Sequence, residues 1–351
     1  MKRILSIILA SMTILILATG CSGTTGGGNA AGGNSTYPDK GKSINGFIAW
    51  AAGGGTDNVM RTICPLAAKN LGTTIVLTNK TGGTGYIATK YVHDQPADGY
   101  NLLLNAENPP LYKLLNLGDI DYSNYIPVIV LAKNVGILVV PADSKFNSYQ
   151  DLIDYAKANP GKLNVGTTGV GGLPFNCFAL TCMVEGIKYN SITYDGDGTL
   201  QPALISGEVD ASVIAQSAAI QYIATGKMKA LGVYTNKRCA NKELTDVPTL
   251  EECNSKYKGM LDNWGPFYGA FVKEGTPDTV VKALQDAFYK AYQTDTFQKF
   301  CQNLSLQPLG YTGDEADTFI EKWQSMTCWT LYRAGATTKS PKDFNIPEPS
   351  V

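Results

Sequence analysis

The sequence contains a single histidine, His93, which limits the catalytic chemistry that it can support. A Ser-His-Asp hydrolase needs a histidine base beside its nucleophile, and no G-x-S-x-G turn occurs in the chain. His93 stands instead beside Asp94 at the predicted end of a helix, where a cation interacts favourably with the helix dipole. A surface-anchored α/β hydrolase is therefore an alternative that lacks an evident base.

Charge of either sign is scarce and balanced. The 351 residues include 29 Lys and Arg and 30 Asp and Glu, interspersed along the chain, for a formal net charge of −1. Such a chain has no basic face for nucleic acid and no polybasic patch for a membrane surface. A hydrophobic content of 44% is typical of a globular protein, and the length allows two lobes, each with its own core.

The apolar run at the N-terminus, residues 4–18, is shorter than a bilayer span and follows Lys2 and Arg3, which is the pattern of a signal peptide. The segment LATGC at 17–21 resembles the lipobox of bacterial lipoproteins, in which the signal is cleaved before a cysteine that carries the lipid. We therefore expect residues 1–20 to be a lipoprotein signal peptide and Cys21 to be lipidated. Residues 21–43, rich in Gly, Ser, Thr and Asn, would form a flexible linker. A short membrane anchor or an ordinary cleaved signal is the alternative.

Seven cysteines follow Cys21, an odd number, so at least one thiol is unpaired. No C-x-x-C motif occurs, and the cysteine spacing does not suit a zinc site. Cys239 with Cys253 and Cys301 with Cys328 are the candidate disulfides, while buried free cysteines are an equally open alternative.

Two motifs resemble cofactor sites only in part. Residues 83–88 match the dinucleotide fingerprint G-x-G-x-x-A, with Glu107 about 20 residues further on. DGDG at 195–198 begins like a calcium loop but lacks the third acid and the later glutamate. Because the chain has an extracytoplasmic address and these motifs are incomplete, we expect no cofactor and no metal ion.

From residue 44 onward, short apolar runs alternate with longer helical ones, which is typical of an α/β fold. Strands are predicted at 44–50, 74–78, 101–105, 127–131, 136–140, 163–166, 191–194, 211–215 and 230–235. Helices are predicted at 57–71, 85–93, 149–159, 174–185, 198–206, 218–225, 277–293, 295–303 and 313–334. Two α/β lobes account for this length better than one.

Four glycine-rich turns each connect a predicted strand to a predicted helix, at residues 51–57, 78–85, 166–172 and 194–198. In the first turn, three consecutive glycines leave the main chain open to a ligand, and Thr56 or Asp57 would cap the following helix. The free N–H groups at such a helix start suit a carboxylate or phosphate. Since ligands in open α/β sheets lie off the carboxyl ends of strands, turns in both halves of the chain predict one cleft lined from two sides.

The order of these segments is similar to that in the tripartite tricarboxylate transporter receptor family, the extracytoplasmic solute-binding proteins also called Bug receptors. The segments that carry the resemblance are AAGGGTD at 51–57, NKTGGTG at 79–85, PADGY at 96–100, ANPGKL at 158–163, GTTG at 166–169, YDG at 194–196, GEVD at 207–210, DVPTLEE at 246–252 and GTP at 275–277. The resemblance covers the chain from residue 44 to about residue 334.

The resemblance implies an α/β fold of the periplasmic-binding-protein type II-like (Venus flytrap) class, in which two Rossmann-like lobes are joined by a hinge. Residues 44–131 plus 264–340 would form lobe 1, residues 132–263 lobe 2, and residues 341–351 a C-terminal tail. We expect the hinge near 131–136 and 263–268, where Trp264 is either a wedge between the lobes or an ordinary core residue.

The resemblance further implies a receptor without catalysis that delivers a small carboxylate to the subunits of a membrane permease. In this family, main-chain N–H groups at two glycine-rich helix starts hold the carboxylate, together with ordered water. The candidate ligand-binding residues are Ala52, Gly53, Gly54, Gly55, Thr56, Asp57, Gly83, Asn105, Glu107, Thr167, Thr168, Gly169, Gly171, Gly172, Tyr194 and Asp195. We expect a monomer that is lipid-anchored to the outer face of the bacterial cell membrane. A receptor that passes its ligand-bound state to a sensor kinase shares this fold and stays an alternative.

The sequence departs from the family pattern in ways that bear on the ligand. Ile214 and Ala215 replace a polar pair found in many members, and Glu107 stands where small hydroxyl residues are common. With Asp195 and Asp197, Glu107 could hold an ammonium group beside a carboxylate, which predicts an amino acid or another zwitterion as the ligand. The alternative is that these acids are solvated loop residues, as exposed aspartates usually are.

Overall fold

The computed structural model describes residues 37–261 and 264–349 of the chain. The predicted signal peptide, Cys21 and most of the predicted linker lie outside the described residues, as do Asp262 and Asn263 of the predicted hinge. Within the described ranges, no helix is both long enough and apolar enough to cross a membrane.

Strands and helices alternate along most of the described chain. The strands are β1 (Ile44–Ile48), β2 (Ile75–Asn79), β3 (Asn101–Ala106), β4 (Tyr125–Lys133), β5 (Gly136–Pro141), β6 (Asn164–Thr167), β7 (Asn190–Thr193), β8 (Ala211–Ala215), β9 (Met228–Val233), β10 (Phe267–Lys273) and β11 (Gln307–Tyr311). The α-helices are α1 (Gly55–Leu71), α2 (Tyr86–His93), α3 (Tyr149–Ala158), α4 (Leu173–Glu185), α5 (Asp197–Ile205), α6 (Gln216–Ala224), α7 (Leu250–Cys253), α8 (Asp278–Tyr292), α9 (Asp295–Asn303) and α10 (Asp314–Arg333).

Six strands form the sheet of the first lobe, in the order β11-β4-β10-β3-β1-β2. β1 pairs in parallel with β2 and β3, whereas β10 runs antiparallel to β3 and β4. The apolar stripes of α1 and α8, including Met60 and Phe288, pack against one face of this sheet. Ala88 of α2 and Trp323 of α10 belong to the core on the other face. Because β1 and β3 end at the same edge, the turns after them lie side by side.

Five strands form the sheet of the second lobe, in the order β7-β6-β8-β5-β9. β6 pairs in parallel with β7 and β8, and β5 runs antiparallel to β8 and β9. Leu152 of α3 and Phe178 of α4 pack on one face, and Leu204 of α5 and Ala218 of α6 pack on the other. The carboxyl ends of β6 and β8 therefore lead into α4 and α6 at one edge of the sheet.

Two segments connect the lobes, and they lie against each other. Asn134 and Val135 join β4 to β5, and residues 264–266 precede β10 on the return. The main-chain N–H of Asn134 donates to the oxygen of Pro266 at 2.8 Å. The Asn134 side chain donates to the hydroxyls of Ser217 and Tyr268, at 2.9 and 2.8 Å. Hydrogen bonds between the two connections therefore hold the junction together.

Trp264 is a core residue of the second lobe. It is 3% exposed and packs in the same cluster as Cys177, to whose Sγ its Nε1 donates at 3.5 Å. The interpretation of Trp264 as a core residue is therefore the one that the structure supports.

Each predicted strand and helix is present, with ends that differ by a few residues. The sequence patterns do not predict β10, β11 or the short helix α7. β10 contains Gly269 and follows Pro266, and β11 contains Pro308 and Gly310, so turn-forming residues obscure their strand pattern. Proline is tolerated in β11 because this strand lies at the edge of the sheet.

The seven cysteines of the described chain are free, so the candidate disulfides Cys239–Cys253 and Cys301–Cys328 are not formed, and the alternative of free cysteines is the one that the structure supports. Cys301 packs in the core beneath α1 and α8, whereas Cys328 packs in the core on the other face of that sheet. Cys239 and Cys253 likewise contact different cores of the second lobe. A sheet therefore separates the members of each pair.

The predicted C-terminal tail packs against α10. The Ser325 hydroxyl donates to the oxygen of Pro347 at 2.7 Å, and Trp329 Nε1 donates to the oxygen of Ile346 at 3.3 Å. Ile346 is buried. This segment thus adds to the core of the first lobe.

Candidate functional site

A cavity of about 40 Å³ lies between the two lobes, at the edge where the glycine-rich turns meet. It is lined by Trp50, Gly54, Gly55, Thr56, Ala106, Glu107, Asn108 and Tyr268 of the first lobe, by Thr168, Leu173, Asp197 and Ala215 of the second lobe, and by Pro266 of the return connection. None of these residues is exposed, and most are buried. A ligand therefore reaches the cavity only when the lobes separate.

Helix α1 points its N-terminus at this cavity. Gly54 is the N-cap residue, with an extended backbone and no side chain to accept a hydrogen bond from the first turn. The expectation that Thr56 or Asp57 caps α1 is therefore wrong. The N–H groups of Gly55 and Thr56 have no acceptor within the helix, and both residues line the cavity. This helix start is a place for negative charge.

Glycine is required at position 55 because the lobes approach closely there. A Cβ atom on Gly55 would lie 2.5 Å from the hydroxyl of Tyr268 and 3.1 Å from the hydroxyl of Ser217. A Cβ on Gly198, at the start of α5, would lie 2.0 Å from the main-chain oxygen of Ala52. Tyr268 belongs to the first lobe and Ser217 to the second, so Gly55 fits between the two lobes, and Gly198 lets the start of α5 meet the first lobe.

Asp57 supports the first glycine-rich turn and does not line the cavity. Its carboxylate accepts hydrogen bonds from the N–H of Gly53 at 3.0 Å and from Asn79 Nδ2 at 2.8 Å, and it pairs with Arg61 at 2.9 Å. Burial alone would raise the pKa of Asp57, but the hydrogen bonds from Arg61, Asn79 and Gly53 lower it below its ordinary value. The ionised carboxylate therefore fixes the turn in which Gly53 has a left-handed φ of 79°.

The second lobe contributes the start of α4. Gly172 is its N-cap, and Leu173 at the first helical position lines the cavity together with Thr168. Gly169 and Gly171 have positive φ values of 89° and 81°, which shape the turn between β6 and α4. The Thr167 hydroxyl is engaged with Ser191 at 2.8 Å and does not face the cavity.

Two hydrogen bonds join the lobes beside the cavity. The Thr84 hydroxyl donates to the oxygen of Val170 at 2.8 Å, and Asn108 Nδ2 donates to the oxygen of Gly171 at 2.6 Å. Thr84 follows Gly83 in the second glycine-rich turn, and its own oxygen accepts a hydrogen bond from the Tyr112 hydroxyl at 2.9 Å. The turn at Gly83 therefore connects the lobes and does not line the cavity.

Two acids, Glu107 and Asp197, face the cavity from opposite lobes. Burial raises the pKa of Glu107 to about 8, and the nearby Asp197 adds to the rise. Burial also raises the pKa of Asp197 to about 7, against a hydrogen bond from the N–H of Ala215 at 3.3 Å. Within the described chain, no Lys, Arg or His lines the cavity.

Other predicted site residues lie near the cavity without lining it. Asn105 accepts a hydrogen bond from Trp50 Nε1 at 3.0 Å and so orients a lining side chain. The main-chain oxygen of Ala52 lies against Gly198, where an added Cβ would be 2.0 Å away from it. Tyr194 donates to Glu208 at 2.8 Å, and Asp195 is exposed, as the interpretation of a solvated loop acid predicts.

Several lining residues are not among those predicted from the sequence: Trp50, Ala106, Asn108, Leu173, Pro266 and Tyr268. Asn108 and Ala106 flank Glu107, which the sequence does predict as a site residue. The position of these two residues at the end of β3 is therefore a local signal that could have identified them. Asp197, one of the acids that the sequence suggests for an ammonium group, and Ala215, a departure from the family pattern, both line the cavity. Pro266, in the return connection, and Tyr268, in β10, lie far along the chain and carry no local signal of a site. In the described part of the chain, no three His, Cys, Asp or Glu side chains are grouped to hold a metal ion.

Comparisons with known proteins point to one family. The family model described as "Tripartite tricarboxylate transporter family receptor" matches residues 59–327, more than half of the chain. A Cupriavidus necator protein, the UPF0065 protein in the gbd 5′ region, is 33% identical over 266 residues, which cover 74% of this chain and 78% of that protein. The structure of the periplasmic binding protein BugD is 26% identical with a TM-score of 0.78, over 84% of this chain and 98% of that one. The R. palustris protein Rpa4515, solved with adipate, is 23% identical with a TM-score of 0.78, over 84% and 98% of the two chains.

Proposed function

We propose, because the chain belongs to the tripartite tricarboxylate transporter receptor family, that it captures a small carboxylate between its lobes and delivers it to a membrane permease. Members of this family are extracytoplasmic solute receptors and not enzymes. The proposed permease is of the tripartite tricarboxylate type.

The observation that carries the proposal is the convergence of helix N-termini on one cavity between the lobes. Gly55 and Thr56 begin α1, Leu173 begins α4 and Asp197 begins α5, and all four residues line that cavity. Each helix start presents unpaired N–H groups and about half a positive charge. Main-chain groups from both lobes can thus bind a carboxylate without a cationic side chain.

Ligand capture in this arrangement follows from the contacts between the lobes. A ligand in the cavity touches both lobes only when they are closed, so it favours the closed state over the open one. The hydrogen bonds Thr84–Val170 and Asn108–Gly171 add to the stability of the closed state. The permease would recognise this closed form and receive the ligand from it.

Calorimetric titration of the purified full chain tests the binding step. The panel comprises adipate, the ligand in the R. palustris relative, together with succinate, malate, citrate, aspartate and glutamate. We expect saturable binding of at least one of these compounds, with compaction of the protein by small-angle scattering. Absence of binding across the panel would contradict the proposed function.

Delivery to the permease has a separate test. Uptake of the bound compound by cells should require both this chain and the large and small membrane subunits. If binding occurs but uptake does not depend on the chain, and a sensor kinase responds instead, the delivery step is wrong.

Anchoring by a lipid on Cys21 is also part of the proposal, and it rests on the segment LATGC at 17–21. Replacement Cys21→Ala should move the protein out of the membrane fraction. Mass spectrometry of the N-terminal peptide should show the lipid on the wild-type chain only. A monomer is proposed for the released protein, and light scattering would check its mass.

A further inference from the structure

We propose that Glu107, Asn108 and Asp197 form a subsite for an ammonium group, so that the captured ligand is an amino acid or a similar zwitterion. This inference rests on the proposed function, because it assigns a chemical class to the ligand of the same cavity. A plain dicarboxylate or tricarboxylate would leave the subsite unused.

The first observation is a pair of buried acceptors that lack donors. Glu107 is 3% exposed, and its Oε2 has no hydrogen-bond partner among the described residues. Asn108 is 1% exposed, and its Oδ1 also lacks a partner in that part of the chain. The orientation of the Asn108 amide is fixed, because its Nδ2 donates to the oxygen of Gly171 at 2.6 Å. Both residues line the cavity, so the two unpaired acceptors belong to its wall.

Unpaired buried acceptors cost free energy, and a ligand that donates hydrogen bonds to these two atoms would remove that cost. A buried polar atom without a partner costs roughly 1–3 kcal/mol, and more for a charged group. An ammonium group carries three donors and no acceptor, so it can serve Glu107 and Asn108 together. A carboxylate has acceptors only, and it would leave the Asn108 oxygen unpaired.

The second observation is the sign of the charges around the cavity. Glu107 and Asp197 line it, and no cationic side chain of the described residues does. Burial of these acids raises their pKa values, and a cation placed between them reverses that effect by favouring the ionised form. A second carboxylate of the ligand at this place would donate nothing to Glu107 or Asn108, and it would be repelled by either acid in its ionised form.

The cavity thus offers donors for one charged group of a zwitterion and acceptors for the other. The starts of α1 and α4, at Gly55, Thr56 and Leu173, offer main-chain N–H groups for a carboxylate. Glu107 and Asn108 follow β3 and offer oxygen atoms for an ammonium group. Asp195, which the sequence groups with these acids, is exposed and takes no part.

The experiment compares each amino acid with the same compound lacking its amino group. Binding of the twenty L-amino acids to the full chain is measured by calorimetry beside their deamino counterparts, such as succinate for aspartate and glutarate for glutamate. We expect one amino acid to bind at least about 10-fold more tightly than its counterpart, the effect of a hydrogen bond to a charged group. Glu107→Gln should reduce this preference to about 3-fold or less, because the amide keeps the shape but loses the charge. The matched control, Asp195→Asn, removes an exposed acid of the second lobe and should leave the preference unchanged.

Proton release gives a readout that does not depend on a variant. Titrations of the wild-type chain at pH 7 in two buffers with different heats of ionisation report the protons exchanged on binding. Binding of an ammonium group should release protons from Glu107 and Asp197. Equal or tighter binding of the deamino compounds, with proton uptake, overturns the inference and leaves the proposed function intact. If neither class of compound binds, the inference and the proposed function fail together.

Discussion

Asn108 and Gly171 belong to opposite lobes, and Asn108 Nδ2 donates to the main-chain oxygen of Gly171 across the closed junction at 2.6 Å. The same oxygen accepts a second hydrogen bond from Asn176 of its own lobe, at 3.0 Å. Gly171 lies in the turn that starts α4, so closure fixes the turn whose helix faces the ligand. One contact thus links the position of the lobes to the geometry of the cavity.

The neighbouring contact between the lobes gives the first prediction. Thr84→Val removes the hydroxyl that donates to Val170 and keeps the shape of the side chain at a position where φ is 56°. We expect the Kd to rise about 3- to 10-fold, since a hydrogen bond contributes about 1 kcal/mol to the closed state. Calorimetry measures this change, and scattering should show a more open ligand-free protein. Thr84→Ser keeps the hydroxyl and should bind as the wild type does; an equal loss in both variants would contradict the role of this bond.

Gly198→Ala tests whether closure needs bare main chain at the start of α5. The new Cβ would lie 2.0 Å from the oxygen of Ala52, so the lobes could not close fully. We expect the affinity for the ligand to fall at least about 30-fold, while the free energy of unfolding changes by less than about 1 kcal/mol. Gly207→Ala is the control, because Gly207 follows the other end of α5 and a Cβ there meets nothing within 4 Å. It should cost some stability through its positive φ but leave affinity unchanged; loss of affinity in the control would argue against a block of closure.

Asp57→Ala should destabilise the first glycine-rich turn. The change removes the acceptor of the Gly53 N–H, one of the two acceptors of Asn79 Nδ2 and the ion-pair partner of Arg61. We expect the free energy of unfolding to fall by about 2 kcal/mol and the ligand to bind more weakly. Arg61→Ala is the milder comparison, because its side chain is 47% exposed and exposed ion pairs contribute less than about 1 kcal/mol. Urea unfolding of both variants measures the difference. An equal loss of unfolding free energy in the two variants would contradict the conclusion that Asp57 stabilises the turn.

The buried acid of the cavity predicts how the stability of the ligand-free protein changes with pH. The pKa of Glu107 is raised to about 8 in the folded chain from an ordinary 4.5, so between these values the folded chain holds a proton that the unfolded chain releases. The contribution of this bound proton to the free energy of unfolding is therefore complete below about pH 4.5, and it is lost as the pH rises towards 8. Glu107→Gln removes this dependence.

The measurement is the Tm of both proteins at pH 5 and pH 8, without ligand. The Tm of the wild type should fall relative to that of Glu107→Gln by at least about 4 °C between these conditions, given about 1.4 kcal/mol for each pKa unit. Asp197 is present in both proteins, so only the part of its titration that is coupled to Glu107 remains in the difference. Parallel Tm curves would mean that Glu107 is ionised throughout and that its burial does not raise its pKa.

Because the cysteines are free, we expect a reductant to leave the stability of the protein unchanged. Because Cys239, Cys253, Cys301 and Cys328 are unpaired and each candidate pair is divided between two cores, no disulfide within residues 37–261 and 264–349 contributes to stability. The Tm with and without dithiothreitol should agree within about 1 °C. A fall of several degrees on reduction, as loss of a disulfide typically causes, would show that a pair forms.

The alternation of strands and helices and the glycine-rich turns were visible in the sequence because they depend on local properties. A run of apolar residues forms a strand or an amphipathic helix whatever lies elsewhere, and a glycine such as Gly53 permits a left-handed φ at its own position. For the same reason Gly54, Gly55, Thr56 and Thr168 could be selected as site residues from their turns alone. The resemblance to the receptor family followed from the order of those turns.

Burial and contact over long distances were decided only by the tertiary structure. Tyr268 reaches the cavity from a strand that the sequence pattern does not predict, and it bonds to Asn134, 134 residues earlier. Asp195 and Asp197 look equivalent in the sequence, yet only Asp197 faces the cavity, because α5 begins at that residue and turns it inward. Which acids lose their water, and therefore which ones select a ligand, depends on how two lobes close over them, and no local pattern encodes that closure.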